Sequence, residues 1–401
     1  MFAKITSQAN LEAAYLEIVE QFSADRRNFK YHGLDNIFLR DLDLKSSELI
    51  KIIRSDLLQK KEIEPALSVK IPKNNKPDEY REIFIYNLKE RIKAQAIYRV
   101  VLPEFEKVFS KRLFSYRPDK PPYLAASIFC RRYRREFSHD QALILDLKNY
   151  SDKIDRELMF SQLQAIFDDR EVLGLLRLFV FNRIYRDGVA LLPDKGLVQG
   201  VPLIALFANL HLTDLDFKYQ ARVSFYIRVG DDIALLDRSA EKLGQVLAEI
   251  RNDIFARGLE INSKKLFLGA ASGRYAFLGY AFSGGVIGLE PGFIKRIEGE
   301  WKDILTYQHL NPGAKQRLLK RIMSKPAANF NNRFAKIVKD KSQVNDIRQI
   351  EKMSEDFFTI LTKFFYEHYS PRNRRLLEKE LAPAGVSSLY KVYKNFHYDR
   401  S

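Results

Sequence analysis

The chain has 401 residues, 46% of them hydrophobic, which is enough for a sizeable core and for two or three domains. Its net charge of +16 and its pI near 9.5 predict a polyanionic partner such as nucleic acid, because lysine and arginine gain affinity by neutralising phosphates. The single cysteine, Cys130, excludes an internal disulfide, and no apolar run approaches the length of a membrane span. We therefore expect a soluble, cytoplasmic protein that does not engage a membrane.

The N-terminal 64 residues predict helices, with an amphipathic period from Leu11 to Phe22 and a second helix from Ser46 to Leu57. A turn-rich basic loop follows at Lys70–Pro77. It leads into a strand predicted around residues 82–86.

A buried strand is predicted at Ala142–Lys148, and it ends near one carboxylate, Asp146. An amphipathic helix follows, beginning at about Arg156. Asp152 and Asp155 lie beyond the strand end, so we expect them to cap that helix rather than to bind a metal ion. Further along, a helical run from residue 205 to residue 215 follows the segment 196–204.

Two adjacent carboxylates stand inside an apolar frame, in the run Val229-Gly230-Asp231-Asp232. The flanking residues 225–228 and 233–236 predict the two strands of a β-hairpin with the acids at its tip. Adjacent like charges raise each other's pKa unless a cation neutralises them, so the pair favours a metal site. A surface turn without function is the alternative.

Asp146 at a strand end and Asp231 in a hairpin turn can meet across one sheet. Hard oxygen ligands suit Mg²⁺, which keeps waters and substrate phosphates as its other ligands. The six histidines have no metal-ligand spacing, so no zinc site is predicted. Three carboxylates on two elements therefore indicate phosphoryl transfer by two metal ions.

Seven segments in order resemble a reverse transcriptase of the bacterial, group II intron-like kind, over roughly residues 65–300. These segments are Arg81–Ile85 with Arg91 and Gln95, Ser115–Pro118, Leu145–Lys148 with Tyr150 and Asp155, Gln199–Leu203 with Ala208-Asn209 and Leu215-Asp216, the Asp231-Asp232 hairpin, Gly258–Lys265, and Phe277–Tyr280. Each segment is a weak signal alone, and their order carries the resemblance.

The resemblance implies that Asp146, Asp231 and Asp232 are the catalytic metal ligands, with Asp232 the least important of the three. The backbone carbonyl of Leu147 is expected to complete the ligands of the second metal. The implied cofactor is a pair of Mg²⁺ ions, for which Mn²⁺ can substitute.

The expected nucleotide-binding residues are Lys70, Arg81, Tyr150, Ser151, Gln199, Gly200 and Lys265. Lys70 and Arg81 would supply positive charge to the triphosphate. Lys265 would act near the pyrophosphate, with a solvated strand-end lysine as the alternative. In the family a bulky residue near Tyr150 bars the ribose 2′-hydroxyl; either Tyr150 fills that role or Ser151 relaxes it.

The nucleic acid itself is expected to meet a primer-grip turn and several basic residues. The turn consists of Phe277, Leu278, Gly279 and Tyr280, and Arg117 lies in another family signature. Strand signals stop near residue 293, and residues 295–341 are rich in lysine and arginine. We expect this stretch to follow a duplex backbone through Lys315, Arg317, Lys320 and Arg321, with a solvated helix surface as the alternative. The basic and aromatic tail at 387–396 suits base stacking or docking on the core equally well.

The implied fold is an α+β right-hand polymerase, with fingers and palm built from antiparallel sheet packed on helices and followed by an α-helical thumb. The expected division is a helical fingers extension at residues 1–64, fingers at 65–140, a palm at 141–292 with some fingers elements interleaved, and a thumb with the C-terminal region at 293–401.

The implied function is that of an RNA-directed DNA polymerase that binds RNA and DNA and uses dNTPs. We expect a stand-alone bacterial enzyme of antiphage defence that copies a cognate non-coding RNA into cDNA. The length of chain after the primer grip disfavours a mobile-intron role, Phe277-Leu278-Gly279 departs from the retron motif, and the intact Gln199-Gly200 departs from the diversity-generating enzymes.

Three alternatives remain: a retron-type or other bacterial reverse transcriptase, an RNA-templated RNA polymerase, and a catalytically quiet nucleic-acid-binding scaffold. Gly230-Asp231-Asp232 favours the second, because Gly-Asp-Asp is common in viral RNA-dependent RNA polymerases. The intact acids disfavour the third. The oligomeric state is not indicated by the sequence.

Overall fold

A computed structural model describes residues 1–24, 33–35, 46–73, 76–306, 341–366, 368–381 and 393–394. The chain divides into two compact units. The first unit consists of Met1–Lys73, Asp78–Pro122 and Gln141–Leu268, and the second of Asn74–Pro77, Tyr123–Asp140 and Gly269–Ser401.

Helices and strands alternate irregularly along the described residues. The helices are α1 (Phe2–Ile5), α2 (Gln8–Ala24), α3 (Ser46–Leu58), α4 (Leu88–Val108), α5 (Pro122–Glu136), α6 (Tyr150–Lys153), α7 (Arg156–Gln164), α8 (Arg170–Val180), α9 (Pro202–Leu210), α10 (Thr213–Gln220), α11 (Ala240–Ala256), α12 (Pro291–Thr306), α13 (Ile347–Tyr366) and α14 (Pro371–Leu381). The strands are β1 (Ala66–Lys73), β2 (Lys76–Ile85), β3 (Gln141–Asp146), β4 (Ile184–Arg186), β5 (Val189–Leu191), β6 (Phe225–Val229), β7 (Asp232–Asp237), β8 (Phe267–Ala270), β9 (Tyr275–Phe277), β10 (Tyr280–Ser283) and β11 (Val286–Leu289).

The long helix α4 organises the core of the first unit. Ile92, Ile97, Val101 and Phe105 recur at helical spacing and are buried, and the helix packs against α2 and α9. The one buried lysine of this helix, Lys93, pairs with the carboxylates of Asp56 at 2.7 Å and Glu90 at 3.2 Å. Its buried charge is therefore compensated by partners of opposite sign.

The sheet that matters most for function has the strand order β6-β7-β3-β8. In β3 the apolar residues 142–145 are all buried, as expected of a strand with both faces covered. Strands β6 and β7 form an antiparallel hairpin, and β7 also pairs antiparallel with β3. A second sheet has the order β2-β1-β4-β5, in which β1 and β4 run parallel.

The second unit contains the antiparallel sheet β11-β10-β9. Aromatic residues of α5 pack on it. The ring centroid of Phe282 lies 4.8 Å from that of Tyr133 and 5.1 Å from that of Phe129. The described elements that follow β11 along the chain, α12 to α14, are helical, in keeping with the end of the strand signals near residue 293.

The structure confirms the predicted α+β class, with antiparallel sheet packed on helices. One predicted helix is wrong: the run from residue 205 to 215 is two helices, α9 and α10, separated at His211 and Leu212. The two helices are linked across this break by the hydroxyl of Thr213, which donates to the carbonyl of Asn209 at 3.0 Å. Asp155 caps α7 as predicted, by accepting the Leu158 amide at 2.9 Å.

The predicted boundaries of fingers, palm and thumb stay predictions. Among the described residues, no helix is both long enough and apolar enough to cross a membrane.

Candidate active site

Three carboxylates converge at one end of the sheet β6-β7-β3-β8. Asp146 is the last residue of β3, Asp232 is the first of β7, and these two residues are register partners. Asp231 lies between β6 and β7 in a two-residue turn with Gly230. Ligand oxygens of the three acids all lie within 4.8 Å of one another. The predicted meeting of the strand end with the hairpin turn is therefore present in the fold.

The cluster carries an electrostatic cost that a cation would relieve. Burial, followed by the neighbouring charge of Asp146, raises the pKa of Asp231 above its ordinary value. A divalent ion would offset both effects because it pairs with the charged form of each carboxylate. Closely spaced hard oxygen donors of this kind fit Mg²⁺.

Two side chains from one loop hold Asp146. Lys265 Nζ lies 2.6 Å from Oδ2 of Asp146, and the side-chain amide of Asn262 donates to Oδ1 at 2.8 Å. The same loop runs beside the end of β3, because the backbone amide of Asn262 donates to the backbone carbonyl of Asp146 at 2.8 Å. Burial alone would lower the pKa of Lys265, but its hydrogen bond to Asp146 and the nearby acids raise it. Lys265 is therefore ion-paired with the cluster, although its side chain is largely exposed.

A buried ion pair lies beneath the hairpin turn. Arg228, on β6, donates from Nε and Nη2 to the two carboxylate oxygens of Asp216 at 2.7 and 2.6 Å, and both side chains are fully buried. Burial opposes the charge of Arg228, but Asp216 outweighs it and raises the pKa of the guanidinium. The hydroxyl of Tyr226 also donates to Asp216 at 2.7 Å. This bidentate geometry fixes the orientation of the guanidinium.

The same guanidinium reaches the turn that carries Asp231. Arg228 Nη1 donates to the carbonyl of Gly230 at 3.0 Å, and the amide of Gly230 donates to Ser115 Oγ at 2.9 Å. Ser115 is itself fixed by two hydrogen bonds with Asn209, at 2.9 and 2.7 Å. Gly230 has φ of +63°, a conformation that side-chain-bearing residues rarely adopt. Both backbone polar groups of the turn glycine are thus held by buried side chains.

The roles of Arg228 and Ser115 were missed by sequence reasoning. The available signal was an arginine inside an otherwise apolar strand, Phe225-Tyr226-Ile227-Arg228-Val229, where a charge must find a partner.

A cavity of about 420 Å³ opens beside the carboxylates. Its lining residues are Tyr116, Asp146, Leu147, Lys148, Asn149, Tyr150, Ser151, Asp152, Gln199, Asp231, Asn262 and Lys265. Seven of the eleven residues predicted for metal and nucleotide contact therefore line one cavity: Asp146, Leu147, Asp231, Tyr150, Ser151, Gln199 and Lys265.

The two residues weighed for sugar selection have different surroundings. Tyr150 is 4% exposed, and its hydroxyl donates to the carbonyl of Ala208 at 2.6 Å. Burial raises the pKa of Tyr150, so its hydroxyl stays protonated. Ser151 is half-buried, and its carbonyl accepts the amide of Leu197 at 2.9 Å. Both residues line the cavity, but Tyr150 is almost fully buried, whereas Ser151 is half-buried and small.

Gln199 lines the cavity and is exposed, but Gly200 does not line it. Gly200 has φ of +124°, and a Cβ built there would lie 2.6 Å from the carbonyl oxygen of Phe84. The glycine is therefore required by the close approach of β2. Lys70 and Arg81 are exposed on β1 and β2 and are not among the residues that line the cavity.

The predicted nucleic-acid contact at Arg117 stays a prediction, and the structure shows the partners of its guanidinium. Arg117 is buried, its guanidinium is paired with the carboxylate of Glu106, and it donates to the carbonyls of Ser110 and Leu113 at 2.7 and 3.1 Å. These contacts use the guanidinium within the protein, where it anchors the chain next to Ser115. The other predicted basic contacts, Lys315, Arg317, Lys320 and Arg321, lie outside the described residues, as does nearly all of the tail at 387–396.

The predicted primer-grip residues form a tight hairpin in the second unit. Phe277 ends β9 and Tyr280 begins β10, with Leu278 and Gly279 between them at φ of +50° and +75°. Lys341 Nζ donates to the carbonyl of Leu278 at 2.5 Å and lies 4.3 Å from the centre of the Tyr280 ring. The turn is thus fixed by a cation as well as by its strands.

Comparison with known protein families identifies the chain. The family model described as reverse transcriptase (RNA-dependent DNA polymerase) matches residues 71–282, more than half of the sequence. The chain belongs to this family. No significant match was found among curated proteins.

Membership fixes the general chemistry. The protein is an RNA-directed DNA polymerase, a nucleotidyltransferase whose substrates are a nucleic acid template and dNTPs. The matched region contains the three clustered carboxylates and every residue that lines the cavity beside them.

Proposed function

We propose that Asp146, Asp231 and Asp232 bind two Mg²⁺ ions and form the centre for nucleotide addition, with Mn²⁺ as a substitute. The supporting observation is the mutual approach of their ligand oxygens to within 4.8 Å. When bound, the two ions would lower the pKa of the primer 3′-hydroxyl and stabilise the pyrophosphate leaving group. In this proposal Asp146 and Asp231 are the principal ligands, Asp232 the lesser one, and the carbonyl of Leu147 an additional oxygen.

The other residues of the cavity would bind and orient the nucleotide. Lys265, held at Asp146 by an ion pair, is placed to stabilise negative charge near the leaving group. Gln199 and Ser151 would contact the nucleoside side, and Gly200 would act through the position of the backbone at β2. Lys70 and Arg81 are exposed cations on neighbouring strands, and we propose that they meet the triphosphate when substrate binds.

We further propose the division of a right-hand polymerase, with the fingers at residues 65–140, the palm at 141–292 and a helical thumb from 293. The primer grip would be Phe277–Tyr280. The hairpin geometry of that turn and its hydrogen bond from Lys341 support a rigid contact for a primer strand.

The template is proposed to be a cognate structured non-coding RNA, and the enzyme a stand-alone bacterial reverse transcriptase of antiphage defence. Two features support this. The net charge of +16 favours a long polyanion, and the motifs resemble group II intron-like enzymes while departing from retron and diversity-generating ones.

Synthesis by the purified protein together with its co-purified nucleic acid tests this proposal. Labelled dNTPs, Mg²⁺ and wild-type protein are expected to yield DNA complementary to one bound RNA, as shown by sequencing both product and RNA. DNA copied at random from many RNAs would contradict the cognate template. Phage plating efficiency with wild-type and Asp231→Asn genes then tests the defence role, and equal plating would contradict it.

A second candidate, RNA-templated RNA synthesis, is favoured by one observation. The ring of Tyr150 is buried, and a serine rather than a bulky residue borders the cavity at position 151. The same assay with labelled rNTPs decides between the two, because predominant RNA product would favour this second function.

A further inference from the structure

One residue of the catalytic cavity has an unusual backbone and an unusual exposure. Tyr116 lines the cavity with Asp146 and Asp231, has φ of +53°, and is 64% exposed. A left-handed backbone is uncommon for a residue other than glycine, asparagine or aspartate, because its Cβ crowds the carbonyl. A large apolar ring in water brings no compensating burial. The fold therefore maintains Tyr116 in a conformation that neither its backbone nor its side chain favours.

The residues on both sides impose that conformation. Ser115 is fixed by its hydrogen bonds with Asn209 and with the Gly230 amide. Arg117 is fixed by Glu106 and by the carbonyls of Ser110 and Leu113. The chain between two anchored residues has little freedom, so the left-handed turn at position 116 is set by buried contacts. Backbone strain of this kind clusters at functional sites, where surrounding structure over-determines it.

The chemistry of the cavity indicates what the ring meets. Its other lining residues are polar apart from Leu147 and Tyr150, which are both buried, and the hydroxyl of Tyr150 is bound to Ala208. A nucleotide that places its phosphates near the carboxylate cluster carries a flat base and a sugar at its other end. An exposed aromatic ring offers such a group a stacking surface.

We propose that Tyr116 is a contact for the nucleoside part of the incoming nucleotide and that its ring contributes to nucleotide affinity. This inference rests on the proposed function of the Asp146, Asp231 and Asp232 cluster. It assigns a nucleotide contact to Tyr116, whose neighbour Arg117 the sequence predicts to meet the nucleic acid.

Single-turnover primer extension on a defined RNA template tests the proposal. Tyr116→Asn removes the ring but retains a residue that tolerates the left-handed backbone. Its apparent dNTP Kd is expected to rise about tenfold, the size of one lost stacking contact, while the maximum rate and the primer–template Kd change far less. Tyr116→Phe keeps the ring and is expected to restore the dNTP Kd to within about threefold of wild type.

Thermal unfolding separates this role from a structural one. Because the Asn variant relieves backbone strain and loses little buried surface, its Tm is expected to equal or exceed that of wild type. Tyr123→Asn is the matched control: Tyr123 is 53% exposed, lies at the start of α5 and does not line the cavity, so its loss should leave the dNTP Kd unchanged.

The outcomes separate the two levels of the proposal. Extension by wild type with an unchanged dNTP Kd in Tyr116→Asn would overturn the role of Tyr116 alone. An equal rise in Kd for Tyr123→Asn would also overturn it. No extension by wild type on any primer–template would contradict the proposed function and, with it, the basis of this inference.

Discussion

The hairpin of β6 and β7 rests on a buried ion pair, whereas the sheet of β9, β10 and β11 rests on aromatic rings. Under the hairpin, Arg228 binds Asp216 and the Gly230 carbonyl. In the second unit Phe282 packs against Phe129, Tyr133 and Tyr275, with ring centroids 4.8 to 5.2 Å apart.

These two solutions differ in what they specify. Aromatic packing contributes stability and tolerates small shifts of each ring. A buried arginine with its donors engaged allows one geometry, at a desolvation cost that hydrophobic residues would avoid. The buried ion pair lies beneath the Gly230-Asp231 turn, which stands beside three mutually repelling carboxylates. We infer that the ion pair is retained for the position of Asp231 and that the rings are retained for stability.

The largest effect is expected when the ion pair loses one partner. Arg228→Met leaves Asp216 buried and without its cation, which should cost about 3–5 kcal/mol in the free energy of unfolding. The Gly230 carbonyl also loses a donor, so DNA synthesis per folded molecule should fall at least about tenfold. Denaturant unfolding and primer extension measure the two effects. Wild-type activity in the folded variant would contradict a positioning role.

The double variant Arg228→Met/Asp216→Leu sharpens the comparison. Replacing both charges by apolar groups removes the unpaired buried carboxylate, so at least half of the lost stability should return. Synthesis should not return, because the Gly230 carbonyl still lacks its donor. Recovery of stability and activity together would mean that the pair acts on stability alone.

Phe282→Leu probes the aromatic region. The change keeps an apolar side chain and loses four ring contacts, with Phe129, Tyr133, Tyr275 and Tyr280, so the free energy of unfolding should fall by about 1–2 kcal/mol. Synthesis per folded molecule should fall less than threefold, roughly, because no polar contact near the carboxylates is lost. A larger loss of activity than in Arg228→Met would reverse the assignment of roles to the two regions.

The smallest effect is expected on the selection between dNTP and rNTP at the cavity. Ser151→Phe places a bulky side chain where the protein has a hydroxymethyl group, and it should raise the preference for dNTP over rNTP about tenfold. Ratios of kcat/KM for matched dNTP and rNTP on one RNA template measure this. Ser151→Thr is the control, since it adds only one methyl group. An unchanged ratio in Ser151→Phe would place the gate elsewhere in the cavity.

The elements of the site could be predicted because their signals are local. Strand-forming apolar runs on both sides of Gly230-Asp231 predict the hairpin, and an apolar run ending at Asp146 predicts the strand. Loop length and glycine then fix the turn.

The support of the site could not be predicted, because it depends on contacts between distant residues. Ser115 and Gly230 are 115 positions apart, and Asn262 and Asp146 are 116 apart. Nor does composition reveal the φ of Tyr116, which follows from anchors on both sides. Arg117 was assigned to nucleic acid because it lies in a family signature, whereas its partners, Glu106 and two carbonyls, appear only in the fold.

Primer extension on a defined RNA template tests the central claim most directly, with Mg²⁺, dNTPs, and wild-type protein compared with Asp231→Asn. The three acids are expected to hold the catalytic ions, so the variant should lose several kcal/mol of transition-state stabilisation and at least about a thousandfold in rate. It should remain folded, because neutralising Asp231 removes repulsion with Asp146. Magnesium-dependent DNA synthesis by wild type alone is the predicted result. Equal synthesis by a folded Asp231→Asn variant would contradict the assignment of the active site.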